Sequence, residues 1–596
     1  VLQRYFKLLV LLGILHVGIL HAQNSYFVNY TVDGKNNTWL NNLVKSNKNR
    51  VDSINILLKN QTLLIELARL SYLNANINSI NFKDSVCAID IHLGASFKWI
   101  KLSKGNVSSD VLTASGFREN QFYNTTFHYT AYVQRIEKML QYLEQNGYPF
   151  AQLKLDSILV DSQSIAAQLQ LDKGDLITFD TVEIIGDANV KSWFIGKYLG
   201  IKKSGLYNES LLKAADSRLS QLPFLQTQRP TTVYFVGNIA KPVVYATNRK
   251  SSSVDGLIGF APSSDNNSNK LLLTGEANLK LQNLFGSGKS FDLSFKSFLS
   301  GSQELKTKIV WPYILKSNVG VEYELNLLKF DSTFLDVKND FGIQYRLIGN
   351  DYVKVFYSIQ TTSLITVDTN EIKLTQSLPQ ANDLKNNSYG LGTKITRYDY
   401  FFNPRKGYSI ESTAAIGFKN ILKNPTIQDI KFAQADGSLK SIYDTMQLSS
   451  VQYRFYFKGD VFIPITQRFV SRIEAHAGHI ETQSLFISEL FRIGGLKTLK
   501  GFDEQAIFAN SYGIITTEIR YLLQQNSNVM LFWNGAWYEN AVRQPVITDT
   551  PYGFGAGLNF ETGAGIFSLY YAVGKQFNNP IELNKAKIHF GFVNYF

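Results

Sequence analysis

The sequence predicts an α+β region of repeated modules followed by an antiparallel transmembrane β-barrel of about 16 strands. Three observations carry that prediction. From about Asp255 onward, apolar and polar residues alternate with period two, and one face stays fully polar. Before that point, helical and strand-like periods recur in units of roughly 75 residues. The final hairpin, Gly565–Lys575 and Lys587–Phe596, is apolar and rich in aromatics, where the end of a soluble chain would face water.

Composition agrees. The 596 residues are 44% hydrophobic and 18% charged, because polar lumen residues in a barrel dilute the lipid-facing ones. The 32 tyrosines and 41 phenylalanines suit strands and interfacial girdles. The net charge of +12 is scattered without a basic run, which argues against nucleic-acid binding. A basic protein among anionic outer-membrane lipids accounts for it. With the single cysteine Cys87, an internal disulfide and a cysteine metal cluster are excluded. Its neighbours alternate, which places Cys87 in the core of a strand.

Residues 1–22 read as a secretory leader. Arg4 and Lys7 precede an apolar run from Leu8 to Leu20, and Ala22–Gln23 is the expected cleavage point. Later on, no apolar stretch is long enough for a transmembrane helix.

Three modules are then expected, over residues 23–95, 96–176 and 177–250, each in the order strand, helix, helix, strand, strand. In the first, Gln61–Leu73 is predicted helical with Asn74 as left-handed cap, before strands Ile77–Phe82 and Val86–Leu93. The second carries the clearest helix, Tyr129–Asn146, with Val133, Ile136, Met139, Leu140 and Leu143 at helical spacing. Gly147 supplies its cap and Pro149 stops it; strands Gln152–Val160 and Ser164–Asp172 follow. The third is predicted as strand Phe179–Gly186, helices Lys191–Leu199 and Glu209–Leu222, and strands Thr231–Val236 and Pro242–Thr247.

Residues 251–596 form the predicted barrel. In Leu271–Gln282, Leu271, Leu273, Gly275, Ala277, Leu279 and Leu281 share one face, and Thr274, Glu276, Asn278, Lys280 and Gln282 the other. A soluble sandwich also alternates, but charges spread over the second face of successive hairpins favour a wet lumen. Short turns are expected at Phe285–Gly288 and Pro312–Tyr313, and outward loops at Asp368–Ser388 and Lys419–Thr445.

Catalytic motifs fail on inspection. Gly286–Ser290 ends like a phosphate-binding loop, but position 283 is Asn283 and a strand follows. His476 and His479 lie three apart on a strand and so face opposite sides. Without a nucleophile–base set or a cofactor loop, the chain reads as a non-enzymatic protein that needs no cofactor or metal. Phe491–Phe502 (FRIGGLKTLKGF) stands out, since its glycines permit a loop that folds back tightly. An ordinary outward loop with turn glycines fits those residues equally well.

That segment resembles the sixth-loop signature of the BamA/TamA superfamily of outer-membrane assembly and translocation proteins, in which a glycine pair precedes an Arg-Gly-aromatic tip. Other blocks resemble the family in the same order: Asp255–Phe260, Asn283–Gly288, Asp399 with Pro404 and Lys406–Gly407, and Gly553–Leu558. Asn146–Ala151, Gly205–Asn208 and Leu222–Phe224 resemble POTRA modules. Three such modules place the layout nearest the TamA branch.

The resemblance implies that Gly494, Gly495, Lys500, Gly501 and Phe502 form a loop tip tucked into the lumen. Lys500 stands where the family has arginine, and Trp533 aligns with the lumen-wall aspartate that usually pairs with it. The expected lumen wall facing the loop is thus Glu518 and Trp533, with the lysine held over an aromatic face or by another acid such as Glu518. His589, Gly591 and Phe596 match the family's C-terminal assembly signal at the barrel seam; Asn594 departs from it.

By resemblance, the protein is an outer-membrane assembly factor that receives clients on POTRA modules in the periplasm of a Gram-negative bacterium. It would insert or translocate those clients at the seam between first and last strands. The implied partners are unfolded outer-membrane or secreted proteins, outer-membrane lipids and a TamB-like periplasmic protein. A two-partner-secretion export pore and a passive porin or surface receptor are the alternatives.

Overall fold

The computed structural model describes residues 25–36, 39–40, 50–262, 271–298, 301–433, 437–543, 545–583 and 586–596. The expected leader over residues 1–22 lies outside them. The chain divides into two compact units, Val1–Ile177 with Leu206–Glu209, and Thr178–Gly205 with Ser210–Phe596.

The first unit holds two α+β sheets. In the earlier one, Ser25–Val32 runs parallel to Val86–His92, which pairs antiparallel with Asn76–Lys83. Helix Ser53–Arg69 packs Ile56, Leu63 and Leu67 against Tyr30, Cys87, Ile89 and Ile91, so Cys87 is a core residue of a strand. The helix begins at Ser53 rather than Gln61 because Asp52 caps it, accepting the Asn55 N–H at 2.7 Å. It also ends sooner than predicted. Ser71, not Asn74, takes the left-handed turn (φ 87°), and the Tyr72 N–H reaches back to the Leu67 carbonyl at 2.9 Å.

The second sheet repeats the order. Lys98–Ser103 runs parallel to Ser164–Asp172, which forms a hairpin with Gln152–Asp161. Helix Tyr129–Glu144 turns Met139 and Leu143 inward, against Trp99 and Leu169, as its periodicity requires.

A third α+β sheet opens the second unit. Ile239–Asn248 pairs antiparallel with Leu225–Val236 on one edge and parallel with Thr178–Phe179 and Glu183–Ile185 on the other. The single strand expected over 179–186 is therefore two pieces, broken where Asp180 turns to accept the Thr181 N–H at 2.7 Å. The helix expected over 209–222 is also split, into Glu209–Lys213 and Ala215–Leu219. In the second piece, Asp216 turns toward the sheet to accept the Thr231 N–H at 2.9 Å and its hydroxyl at 2.6 Å.

A closed antiparallel barrel follows. Its strands are β1 (Ser253–Pro262), β2 (Leu271–Leu284), β3 (Lys289–Phe298), β4 (Ser302–Trp311), β5 (Val319–Phe330), β6 (Phe334–Arg346), β7 (Tyr352–Leu364) and β8 (Leu384–Tyr398). There follow β9 (Gly407–Ile421), β10 (Ser449–Pro464), β11 (Phe469–Thr482), β12 (Ser511–Leu522), β13 (Asn528–Asn540), β14 (Tyr552–Thr562), β15 (Gly565–Lys575) and β16 (Lys587–Tyr595). A short strand, Ile547–Asp549, extends the edge of β13.

Alternation decides which side faces lipid. Val353, Val355, Leu391, Ile515, Ile519 and Leu531 project from the outer wall, while Glu322, Gln344 and Glu518 are buried in the lumen. The first long loop, 365–383, is shorter than predicted and the second, 422–448, starts three residues later, because β8 and β9 stay paired out to Leu384↔Ile421.

Candidate functional site: the inward loop and the barrel seam

The link between β11 and β12 folds into the lumen. Two short strands, Phe491–Ile493 and Ile507–Ala509, pair at its base, and the tip between them is shaped by three glycines. Gly494, Gly495 and Gly501 have φ of 117°, 91° and 97°, a region that disfavours any side chain. A Cβ on Gly495 would lie 1.7 Å from a carboxylate oxygen of Glu504, so this glycine makes room for that acid. The Thr498 hydroxyl closes the turn, donating to the Gly494 carbonyl at 2.8 Å.

The tip docks on glycines in the wall. A Cβ on Gly553 of β14 would sit 2.3 Å from the Lys500 carbonyl oxygen, and one on Gly574 of β15 would sit 2.7 Å from that of Gly501. Bare backbone there allows the loop to approach. Phe502 is buried with Leu499, Ile507 and Tyr538 in one apolar cluster.

Lys500 is held by three residues. Its ammonium lies 3.3 Å from Glu518 and 5.2 Å from the centre of the Phe532 ring. Its backbone N–H donates to Asn534 at 3.1 Å, and its carbonyl accepts from the Asn534 amide at 3.2 Å. Glu518, 2% exposed, also takes two bonds from Arg520, at 2.6 and 3.0 Å, and one from Arg472 at 3.3 Å. Arg472 continues the network to Asp460 and Glu474.

Trp533 corrects the sequence expectation. It is 46% exposed on the outer wall, whereas Phe532 and Asn534 on either side are buried on the lumen face. With a strand period of two, the aligned position cannot share the lumen with them. Both holding modes proposed for Lys500, an aromatic face and Glu518, are present together.

The seam joins β1 to β16 in a register from Ser253↔Tyr595 to Phe260↔Ile588. It is shorter than the wall opposite, where β8 and β9 pair from Leu384↔Ile421 to Tyr398↔Gly407. Gly591 faces Leu257 across it, and Gly256 faces Phe592; glycines in a strand weaken it. His589 points into the lumen and is buried, while Phe596 is exposed and donates its N–H to the Ser252 carbonyl at 2.9 Å.

Elements pack at both ends of the barrel. At one, the third sheet's helix Ser192–Leu199 seats on barrel turns. The Lys191 N–H donates to Gly286 at 2.9 Å, Asn283 to the Asn189 carbonyl at 2.8 Å, and the Gly349 N–H to Tyr198 at 2.7 Å. A cavity of about 500 Å³ remains there between Phe194, Tyr198 and Phe224 and the wall residues Lys308, Glu322 and Arg346. At the other end, loop residues Ile427, Ile430, Tyr443 and Phe486 form an apolar cap. Beneath it Lys419 and Glu489 are paired at 3.0 Å with both side chains fully buried.

His476 and His479 part as the strand period requires: His476 is buried in the lumen against Glu474 at 3.0 Å, and the His479 side chain is about half exposed. Among the described residues, no group of His, Cys, Asp and Glu is arranged to hold a metal. Sequence reasoning missed Asn534, Gly574 and the charged shoulders of the loop, Lys497, Asp503 and Glu504. Neutral or scattered residues of this kind carry no motif, and only the loop's position gives them partners.

The family model described as the Omp85 superfamily domain matches residues 283–596. Among solved structures, CdiB from Escherichia coli is 14% identical, with a TM-score of 0.52 over 91% of this chain and 98% of that one. CdiB from Acinetobacter baumannii is 11% identical, with a TM-score of 0.51 over 91% and 97%. BamA from Haemophilus ducreyi lacking POTRA domains 1–3 is 14% identical, with a TM-score of 0.39 over 84% and 100%. No curated protein matches the sequence.

Proposed function

The chain belongs to the Omp85 superfamily, and from that premise we propose that it is an outer-membrane assembly factor. It receives unfolded outer-membrane or secreted proteins on periplasmic POTRA modules, read as residues 23–95, 96–176 and 177–250. It inserts or translocates them at the seam between β1 and β16.

One observation carries this reading. The seam pairs over fewer residues than the wall opposite and bears glycines on both strands, while the inward loop docks on the lumen wall. A client strand would find open hydrogen-bonding groups where β1 parts from β16. Free energy comes from satisfying the client's backbone in lipid, where an unpaired group costs several kcal/mol, so no nucleotide is consumed. Strand edges such as Gln152–Asp161 and Leu225–Val236 offer sites where an extended client can add a strand beforehand. A large TamB-like periplasmic protein is the partner proposed for those modules.

The loop docked inside the barrel also weighs against a passive porin, which needs an open lumen. An export pore would need the loop to move away. Depletion separates these readings. An assembly factor leaves many outer-membrane proteins reduced, an exporter leaves one secreted protein missing, and an unchanged outer-membrane proteome overturns both.

A further inference from the structure

Three consecutive residues of the inward loop reach to different strands beside the seam. Asp503 meets Lys587, the first residue of β16, at 2.6 Å. Glu504 meets Lys296 of β3 at 2.7 Å. Gln505 donates to Glu304 of β4 at 3.0 Å. On the loop's other arm, Lys497 pairs with Glu276 of β2, which lies 3.6 Å from Lys296. The loop is thus tied by charge to the strands that follow β1 and to β16 itself, and β1 lies between the two sets of anchors.

We propose that the loop is an ionic clasp across the seam. The β2–β4 side is held by three loop groups, Lys497, Glu504 and Gln505, with Glu276, Lys296 and Glu504 mostly buried. The β16 side has the Asp503–Lys587 pair, whose acid is 40% exposed. Asp503–Lys587 is therefore the release point: it ties the loop to β16 through one partly exposed pair, and when it breaks β16 can part from β1 while the loop stays on β2–β4 and, through its tip, on β12–β15. The glycine that leaves space for Glu504, Gly495, belongs to the device, because a side chain there would push the acid off Lys296. This inference rests on the proposed gating seam only for its biological consequence; the clasp itself is a property of the barrel.

The test places cysteines at Ile258 and Phe590, register partners across the seam that both face lipid, and follows oxidative cross-linking in native membranes. The clasp predicts that Asp503→Lys or Lys587→Asp slows cross-linking about threefold or more, a size suited to one partly exposed pair. Combining the two reversals, which rebuilds the pair in opposite sense, restores the rate. Asp503→Asn, which removes charge without repulsion, gives the same direction with a smaller effect and serves where a reversal fails to fold by heat-modifiable mobility. Rates unchanged in Asp503→Asn and in both reversals overturn the clasp, as does a double reversal that stays as slow as the single ones. The readout needs no client, so normal client levels with a loosened seam would count against the assembly function and leave the clasp standing.

Discussion

Lys500 reaches Glu518 across 3.3 Å of lumen while Asn534 pairs with both backbone groups of the same lysine. The loop tip is thereby held by its main chain as well as by its charge. Lysine offers a point charge where arginine would offer a planar fork, and the Asn534 amide supplies the two-point geometry that the fork would give. Replacing Lys500 with alanine should therefore loosen the tip without unfolding the barrel, because Glu518 keeps Arg472 and Arg520. The check is protease sensitivity within 494–506 together with heat-modifiable mobility: cleavage rises and the folded band persists. An intact, protected loop would show that the lysine holds nothing.

Glu518→Gln should cost more than Lys500→Ala. It leaves Lys500, Arg472 and Arg520 facing one another without their shared acid. Removing one partner from a buried charge network costs about 3 kcal/mol or more. Denaturation of the barrel in detergent should show the larger loss for the glutamate variant. Equal losses would mean that the arginines find other acids.

Asn534→Ala removes both bonds to the Lys500 backbone in a site where Asn534 is fully buried. Each buried group left unpaired costs about 1–3 kcal/mol. The loop should then become protease-sensitive even with Lys500 and Glu518 intact. Full protection would place all the holding energy in the side-chain ion pair.

Gly288→Ala should unseat the third module. A Cβ there would stand 2.2 Å from the Phe194 ring, and Phe194 is fixed among Tyr198, Phe224 and Tyr313. The glycine also has φ of 70°. Overpacking of this kind costs about 1–3 kcal/mol. Faster cleavage in residues 178–250 with an unchanged barrel band is the expected result. Equal cleavage would mean that the aromatic cluster shifts to accommodate the methyl.

Acid should weaken the first module through Asp90. Its carboxylate accepts from the Gly34 N–H at 2.8 Å, the Thr31 hydroxyl at 2.7 Å and the Asn78 amide at 3.1 Å, and these bonds hold it below the usual aspartate range. A lowered folded pKa stabilises the module above the unfolded value, near pH 4, and that stability is lost as pH falls through the folded pKa. Asp90→Asn should thus melt below wild type at pH 7, and the gap should close in acid. A gap that does not change with pH would show that the charge is not what matters.

Much of this fold is written in periodicity. The barrel could be read from its alternation because every strand has one lipid face and one wet face, and Met139 and Leu143 point inward where helical spacing puts them. Element ends were less legible. Asp52 starts a helix before its apolar pattern begins, and Ser71 turns the chain where Asn74 has the better intrinsic preference. Of the site, the glycines and Lys500–Phe502 were visible because their residue types are unusual in sequence. Trp533 lies one residue from the lumen positions, which on a strand exchanges lumen for lipid, and Asn534 leaves no trace in the sequence because a neutral amide gives no pattern. The clasp residues could not be found at all, since Asp503 and Lys587 are ordinary charges until the loop folds inward.

Assembly at the seam requires that clients meet the barrel between β1 and β16. A photo-cross-linking side chain at Ile258 or Phe590 on the seam, compared with one at Lys354 on the lumen wall, tests this during client synthesis. Adducts of many outer-membrane proteins at Ile258 and Phe590, with none at Lys354, are the predicted result. Adducts of one secreted protein at Lys354, with the seam positions silent, would contradict assembly at the seam and make the barrel an export pore.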